Sequence, residues 1–306
     1  MAEPVVERLA IVGAGLIGSS IARAAREYAA AREIAILDAS PEVMTRVRGL
    51  GLADDASGDA AQALEGADLV IICTPVGVCG AVAQAIAPYL EAGAILSDVG
   101  SVKGAVVAQI APHVPAGVHF IPAHPIAGTE FSGPDAGFAT LFQNRWSILT
   151  PLDGADEDAV ARLVDFWTRI GADVERMSPE HHDKVLALTS HLPHLIAYNI
   201  VGTADDFGEQ TRSEAIKFSA SGFRDFTRIA ASDPTMWRDI FLNNREAVLE
   251  MLGRFNEDLS VLQRMIRRGD GQGLFDFFTR TRAIRRSIVE QGQDTSAPDF
   301  GRGKSS

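Results

Sequence analysis

The chain has 306 residues, with 28 Lys and Arg against 40 Asp and Glu and a formal net charge of −12. That length supplies about two domains and material for two cores, and the acidic balance excludes a nucleic-acid partner, whose phosphates demand a basic face. There is no apolar run of about 18 residues and no charged-then-apolar leader, so no membrane partner is expected and a soluble cytoplasmic protein is the simplest reading.

Leu9 to Val12 is an apolar run followed by Gly13-Ala14-Gly15-Leu16-Ile17-Gly18 and then by the helix-like stretch Ser19 to Ala30. Glycines so spaced between strand and helix form a dinucleotide-binding fingerprint. Gly13 permits the tight turn, Gly15 lets the backbone approach a pyrophosphate, and Gly18 allows helix to pack on strand, with the phosphates at the helix N-terminus beside Leu16 and Ile17. A plain glycine-rich turn is the competing reading. The second strand, Ile34 to Leu37, ends in Asp38, twenty residues after Gly18. A carboxylate there accepts hydrogen bonds from ribose hydroxyls and repels a 2′-phosphate. NAD is therefore favoured over NADP, although Arg46 and Arg48 on the next helix are cations of the kind a 2′-phosphate needs.

The strand Leu69 to Cys73 leads into Thr74 and Pro75, the remaining candidate cofactor-binding residues. Cys73 and Cys79 fit neither a Cys-x-x-Cys pair nor a zinc spacing and read as reduced thiols. Further apolar runs at Ala94 to Leu96, Val118 to Ile121, Ser147 to Leu149 and Val174 to Met177 alternate with helical patterns such as Val76 to Leu90 and Asp156 to Ile170. That βαβα order predicts an α/β, Rossmann-type, mostly parallel sheet covered on both faces. Beyond Met177 only helices are expected. Ser178-Pro179-Glu180 starts one, Val185 to Val201 is apolar nearly all round, and Asp233-Pro234 opens a long stripe through Met236, Ile240, Val248, Met251, Phe255, Leu259, Leu262 and Ile266. Such a stripe must be buried, either by pairing with a second copy or within one chain. The expected division is a dinucleotide-binding domain at 1–177, an all-helical substrate and dimerisation domain at 178–291, and a polar, fraying tail at 292–306.

Five segments, in order, carry a resemblance: Gly13 to Gly18, Asp98-Val99-Gly100-Ser101-Val102-Lys103, His124-Pro125-Ile126-Ala127-Gly128-Thr129-Glu130, Ser190-His191-Leu192-Pro193-His194, and Phe223-Arg224-Asp225-Phe226-Thr227-Arg228-Ile229-Ala230. In this arrangement the chain resembles prephenate and arogenate dehydrogenases from about residue 8 to about residue 270. The resemblance implies NAD-dependent oxidative decarboxylation of a cyclohexadienol in tyrosine biosynthesis, and a homodimer whose C-terminal helices interlock. The chain departs from the pattern at Ser219-Ala220-Ser221-Gly222, which is less glycine-rich than in many relatives. Neither a chorismate mutase nor a regulatory domain is expected within these 306 residues.

The chemistry can also be read from the residues. Hydride removal from a ring carbon bearing a hydroxyl leaves a developing carbonyl, so a base beside that hydroxyl lowers the barrier. His124, after a strand end where open α/β sheets present ligands, suits that base; a histidine that only holds the loop is the alternative, as expected for His113 and His119. The resemblance gives Ser101 a hydrogen bond to the substrate hydroxyl and to the catalytic histidine, against a plain N-cap for the following helix. It also makes Arg228 the substrate-carboxylate ligand, with Arg224 as its rival, and places His194 and Trp237 at the substrate, against a core or interface role for Trp237. Thr129 and Glu130 would gate the pocket or meet an amino group; a surface loop is the alternative. His191 and His194 lack a carboxylate companion one turn away, so no metal is expected. His181 and His182 read as solvated or as supporting residues. The rivals are a β-hydroxyacid-type dehydrogenase and a non-enzymatic nucleotide sensor.

Overall fold

The computed structural model describes residues 3–129, 131–206 and 221–290. Six parallel strands, β1 (Val6–Val12), β2 (Ala31–Leu37), β3 (Asp55–Ser57), β4 (Leu69–Ile72), β5 (Ile95–Asp98) and β6 (His119–Phe120), form one sheet in the order β3-β2-β1-β4-β5-β6. Strand order therefore reverses between β1 and β4, whose C-terminal ends lie level, with Val12 opposite Ile72. In a doubly wound sheet the ligand crevice opens at that reversal.

Alternate residues of each strand face opposite sides, and here both sides are covered. Leu9, Ile11, Leu69 and Ile71 pack in one core with Ile21 of helix α1 (Leu16–Glu27) and with Leu163, Phe166 and Trp167 of a later helix (Glu157–Arg169). Ala10, Val12, Val70 and Ile72 pack in a second core with Ala83 and Ile86 of the helix Cys79–Ile86 and Val106 and Ile110 of the helix Lys103–Ile110. The near-continuous apolar runs are thus strands buried on both faces.

Two strands were not expected from the sequence. β3 is three residues long, as is β7 (Ala123–Pro125), and segments so short carry no period. β7 pairs antiparallel with β8 (Trp146–Leu149), which runs parallel to β9 (Asp173–Arg176), so His124 sits within a small second sheet with Ile148 opposite. The expected helix over Val185 to Val201 is also corrected. Pro179–Leu186 is α-helical, Ala187–His191 is a π-helical turn, and α-helix resumes over Leu192–Asp206. Pro193 has no N–H to give the carbonyl four residues back and crowds it, which accounts for the widened turn just ahead of it. Ile200 and Val201 are exposed, so that helix is not apolar-buried all round.

The long stripe after Asp233 spans two helices, Pro234–Asn243 and Arg245–Arg268, with a break at Asn244, and a further helix covers Gly271–Glu290. Asp233 caps the first by accepting from the Met236 N–H at 2.8 Å. By packing, the chain divides into Met1–Leu249 and Glu250–Ser306. The first unit extends so far because Trp237 and Ile240 join the second core of the sheet. No helix among the described residues is long and apolar enough to cross a membrane. Glu130, Ser219, Ala220 and the expected tail at 292–306 lie outside the described residues.

Candidate active site

The nucleotide end of the crevice is built at the β1–α1 turn. Gly13 has φ +104°, and a Cβ there would meet the Cys73 carbonyl oxygen at 2.9 Å. Gly18 is more constrained, since its Cβ would lie 2.0 Å from the Gly13 carbonyl oxygen. Gly15 has open space where a side chain would stand, and among the described residues no side chain caps the N–H groups that open α1. Uncapped N–H groups behind an open glycine fit a pyrophosphate. Asp38 accepts from the Ala14 N–H and the Ser40 N–H, both at 2.9 Å, which holds the carboxylate against the turn. Each oxygen keeps a further lone pair for a ribose hydroxyl. Arg46 grips Asp135 and Arg48 bonds the Ala56 carbonyl, so both cations that would favour a 2′-phosphate are engaged. Thr74 and Pro75 follow β4 at the strand-order reversal, with the Thr74 methyl lying 3.1 Å from a Cβ built on Gly13.

The second end of the site is organised by a buried ion pair. Lys103 and Asp98 are both fully buried; the ammonium donates to Asp98 Oδ2 at 2.5 Å and to the Ala123 carbonyl at 2.6 Å. Asp98 also accepts from the Gly100 N–H at 2.7 Å and the Ala123 N–H at 3.3 Å. A charge removed from water persists only when so paired and bonded. The pair fastens the end of β5 to the residue preceding His124.

His124 is buried, and its Nδ1 lies 2.8 Å from His182 Nε2, the rings meeting edge-on at 65°. His182 Nδ1 lies 2.8 Å from Asp183 Oδ1. Asp183 in turn accepts from the Lys103 N–H at 2.7 Å and the Gly104 N–H at 2.8 Å. It caps the Lys103–Ile110 helix from another helix, because Val102 at the N-cap position has no side chain that can. The N-cap role open to Ser101 is thus taken by Asp183. His182, expected to be solvated or supporting, is fully buried and directly bonded to His124, while its neighbour His181 is exposed.

Burial holds the His124 imidazole well below its ordinary pKa, and the charges of His182, Lys103 and His191 act the same way. His182 is also lowered by burial, which outweighs its bond to Asp183. For Asp183 burial works upward, yet the bonds from His182, Lys103 and Gly104 leave its carboxyl below the usual range. Burial pushes His191 down to about 4. Asn244 bridges that ring to the other helix, reaching His191 Nδ1 at 3.1 Å and the Asp183 carbonyl at 2.9 Å.

His194 stacks on Trp237 at 3.6 Å between ring centroids, its Nδ1 donating to the Ser190 carbonyl at 2.8 Å. Burial lowers its pKa, and the charge of Arg228 works the same way against the Ser190 bond. Trp237 is buried in the second core, and its indole N–H has no partner among the described residues. Arg228 and Arg224 are both exposed. Thr129 is exposed too, its hydroxyl accepting from the Phe131 N–H at 3.2 Å. Glu130 is outside the described residues. The sequence pointed to neither Asp183 nor Asn244; the adjacent His182-Asp183 pair in the first turns of a helix was the available signal.

Residues 21–176 match the family described as prephenate dehydrogenase, nucleotide-binding domain, and residues 178–280 the one described as prephenate dehydrogenase, dimerization domain. A cyclohexadienyl dehydrogenase of Zymomonas mobilis is 43% identical over 284 residues, which cover 93% of this chain and 97% of the relative. Among solved structures, a prephenate dehydrogenase from A. aeolicus in complex with hydroxyphenyl propionate and NAD+ has a TM-score of 0.86 at 34% identity, covering 92% of this chain and 98% of that one. A Synechocystis arogenate dehydrogenase has a TM-score of 0.78 at 27% identity, covering 92% and 100%. The fingerprint Gly13 to Gly18 precedes the first matched residue, so its geometry is an observation separate from the family match. With both of its domains matched and a relative aligned over nearly its whole length, the chain belongs to the prephenate dehydrogenase family.

Proposed function

We propose that the chain catalyses oxidative decarboxylation of prephenate, of arogenate, or of both in tyrosine biosynthesis, with NAD as cofactor. The observation that carries this reading is His124, a buried imidazole anchored through Nδ1 to His182, in a fold whose β1–α1 turn suits a dinucleotide. NAD, when bound, supplies the acceptor for a hydride. His124 takes the proton of the ring hydroxyl as that carbon becomes a carbonyl, and loss of the ring carboxylate then leaves an aromatic phenol. Ser101 hydrogen-bonds the same hydroxyl. Arg228 grips a substrate carboxylate through its planar fork, His194 and Trp237 flank the substrate, and Thr129 and Glu130 either gate the pocket or bind the amino group of arogenate. Gly15, Leu16 and Ile17 would lie against the pyrophosphate, Gly13 and Gly18 shape the turn that presents it, Asp38 would meet the ribose, and Thr74 with Pro75 would complete the cofactor site.

In this reading 1–177 binds nucleotide, 178–291 supplies the substrate site and the homodimer contact, and the protein works in the cytoplasm. The family description of residues 178–280 as a dimerization domain supports the homodimer.

Production of NADH from NAD with prephenate and with arogenate, run in parallel, tests the reaction. Turnover of neither overturns it. His124→Asn should lower kcat by roughly 10²- to 10⁴-fold with the Kd for NAD unchanged. The base must be neutral to act, and its pKa is lowered, so wild-type kcat/KM should fall on acidification only below about 6.5, the ordinary imidazole value. A variant with normal kcat, or an acid limb above that pH, would remove His124 from the role of base.

A further inference from the structure

We infer that His182 and Asp183 are positioning residues that hold His124 in its Nδ1–H tautomer and so make Nε2 the proton-accepting nitrogen. A backbone N–H can only donate, so Asp183 Oδ1 accepts from Lys103 and Oδ2 from Gly104. His182 Nδ1 lies 2.8 Å from that same Oδ1 and must therefore be the proton-bearing nitrogen of its ring. Neutral His182 then has its lone pair on Nε2. His124 Nδ1, 2.8 Å away, has to donate to it, which leaves the lone pair of His124 on Nε2. Which nitrogen of an imidazole is free is set by the bond the other one makes.

A doubly protonated His182 would reverse the last step, because its Nε2–H would donate to His124 and leave the proton on the wrong nitrogen. Full burial opposes that cation, as does the charge of Lys103. The far end of the relay cannot turn over, since Asp183 is pinned by two N–H groups at a helix N-terminus, where a carboxylate is favoured. Proton balance is simple. The substrate hydroxyl proton arrives on His124 Nε2, the Nδ1–H stays, and the resulting imidazolium is stabilised through His182 by the Asp183 carboxylate. In serine proteases an aspartate does this for its histidine directly; here a second imidazole is interposed.

The inference rests on His124 being the base, but the tautomer can be observed without turnover. The full chain, labelled with ¹⁵N in its imidazoles, is examined by NMR at neutral pH without substrate, the His124 signals being those lost in His124→Asn. The expected result is a protonated Nδ1 and an unprotonated Nε2. His182 touches this ring, and the charges of His182, Lys103 and His191 move its titration. His182→Leu, which offers no acceptor, should mix the tautomers and lower kcat by roughly 10- to 10³-fold, with the KM for NAD unchanged. His182→Gln, whose amide oxygen can accept from His124 Nδ1–H, should restore most of kcat. A proton found on Nε2 in the wild-type protein overturns the inference, as does a His182→Leu variant with wild-type kcat and tautomer. If His124→Asn is fully active while the wild-type ring is Nδ1-protonated, it is the assignment of the base that fails and not the relay.

Discussion

Arg228 begins a short 3-10 turn, and its charge is felt at His194, whose ring stacks on Trp237. A fixed cation beside a stacked imidazole is a suitable anchor for one of prephenate's carboxylates, and a guanidinium can hold it with two parallel bonds. Arg228→Ala should therefore mainly raise KM. Arg228 is exposed without substrate; where bound substrate buries the charge-assisted pair, its loss costs on the order of 2 to 5 kcal/mol, and kcat/KM should fall roughly 30-fold or more. Lys at that position should restore only part of the loss, because an ammonium lacks the fork. Steady-state kinetics beside a thermal melt separate this from a structural role: an unchanged KM with a lowered Tm would mean that Arg228 ties its helix in place. Arg224, four residues earlier, is the control expected to leave KM near wild type.

The β1–α1 turn shows how one element assigns different duties to its glycines. At Gly18 an added methyl would drive into the Gly13 carbonyl, so Gly18→Ala should lower Tm even without nucleotide. At Gly15 the space is open, so Gly15→Ala should leave the nucleotide-free Tm alone and weaken NAD binding by crowding the pyrophosphate. Melts with and without NAD check both, and equal effects of the two variants would contradict the division. That turn was legible in the sequence because glycine spacing and the switch from strand to helix are local signals. Most strands were legible for the same reason, their buried runs being continuous. The relay behind His124 was not. His124 and His182 are 58 residues apart, and Asp183 meets Lys103 across 80, so their contact depends on how one helix packs against a strand and a second helix and leaves no periodic trace. Alone, a His-Asp pair in the first turns of a helix looks like a solvated face. Nor could the π-helical turn be read, since Pro193 signals an interruption without saying how the backbone absorbs it.

At the scale of the molecule, the apolar side chains along the last two helices need a partner. Leu259 and Ile266 on Arg245–Arg268, and Phe275, Phe278 and Ile284 on Gly271–Glu290, are all exposed, Ile266 by 68% and Phe275 by 64%. Soluble monomers seldom leave extended apolar surface in water. A second copy is the partner the family points to, through its description of residues 178–280, and permanent homodimers commonly bury about 2,000 Å² or more in such apolar contacts. Wild-type protein should accordingly run as a dimer in light scattering at micromolar concentration. Replacing Phe275 and Phe278 together by Glu should place charges where the contact must be dry and shift the species to monomer. The Rossmann-type sheet has its own two cores, so the double variant should still bind NAD with near-normal affinity while losing turnover if the substrate site needs the paired helices. A wild-type monomer, or a double variant that remains dimeric, would move the contact away from these helices.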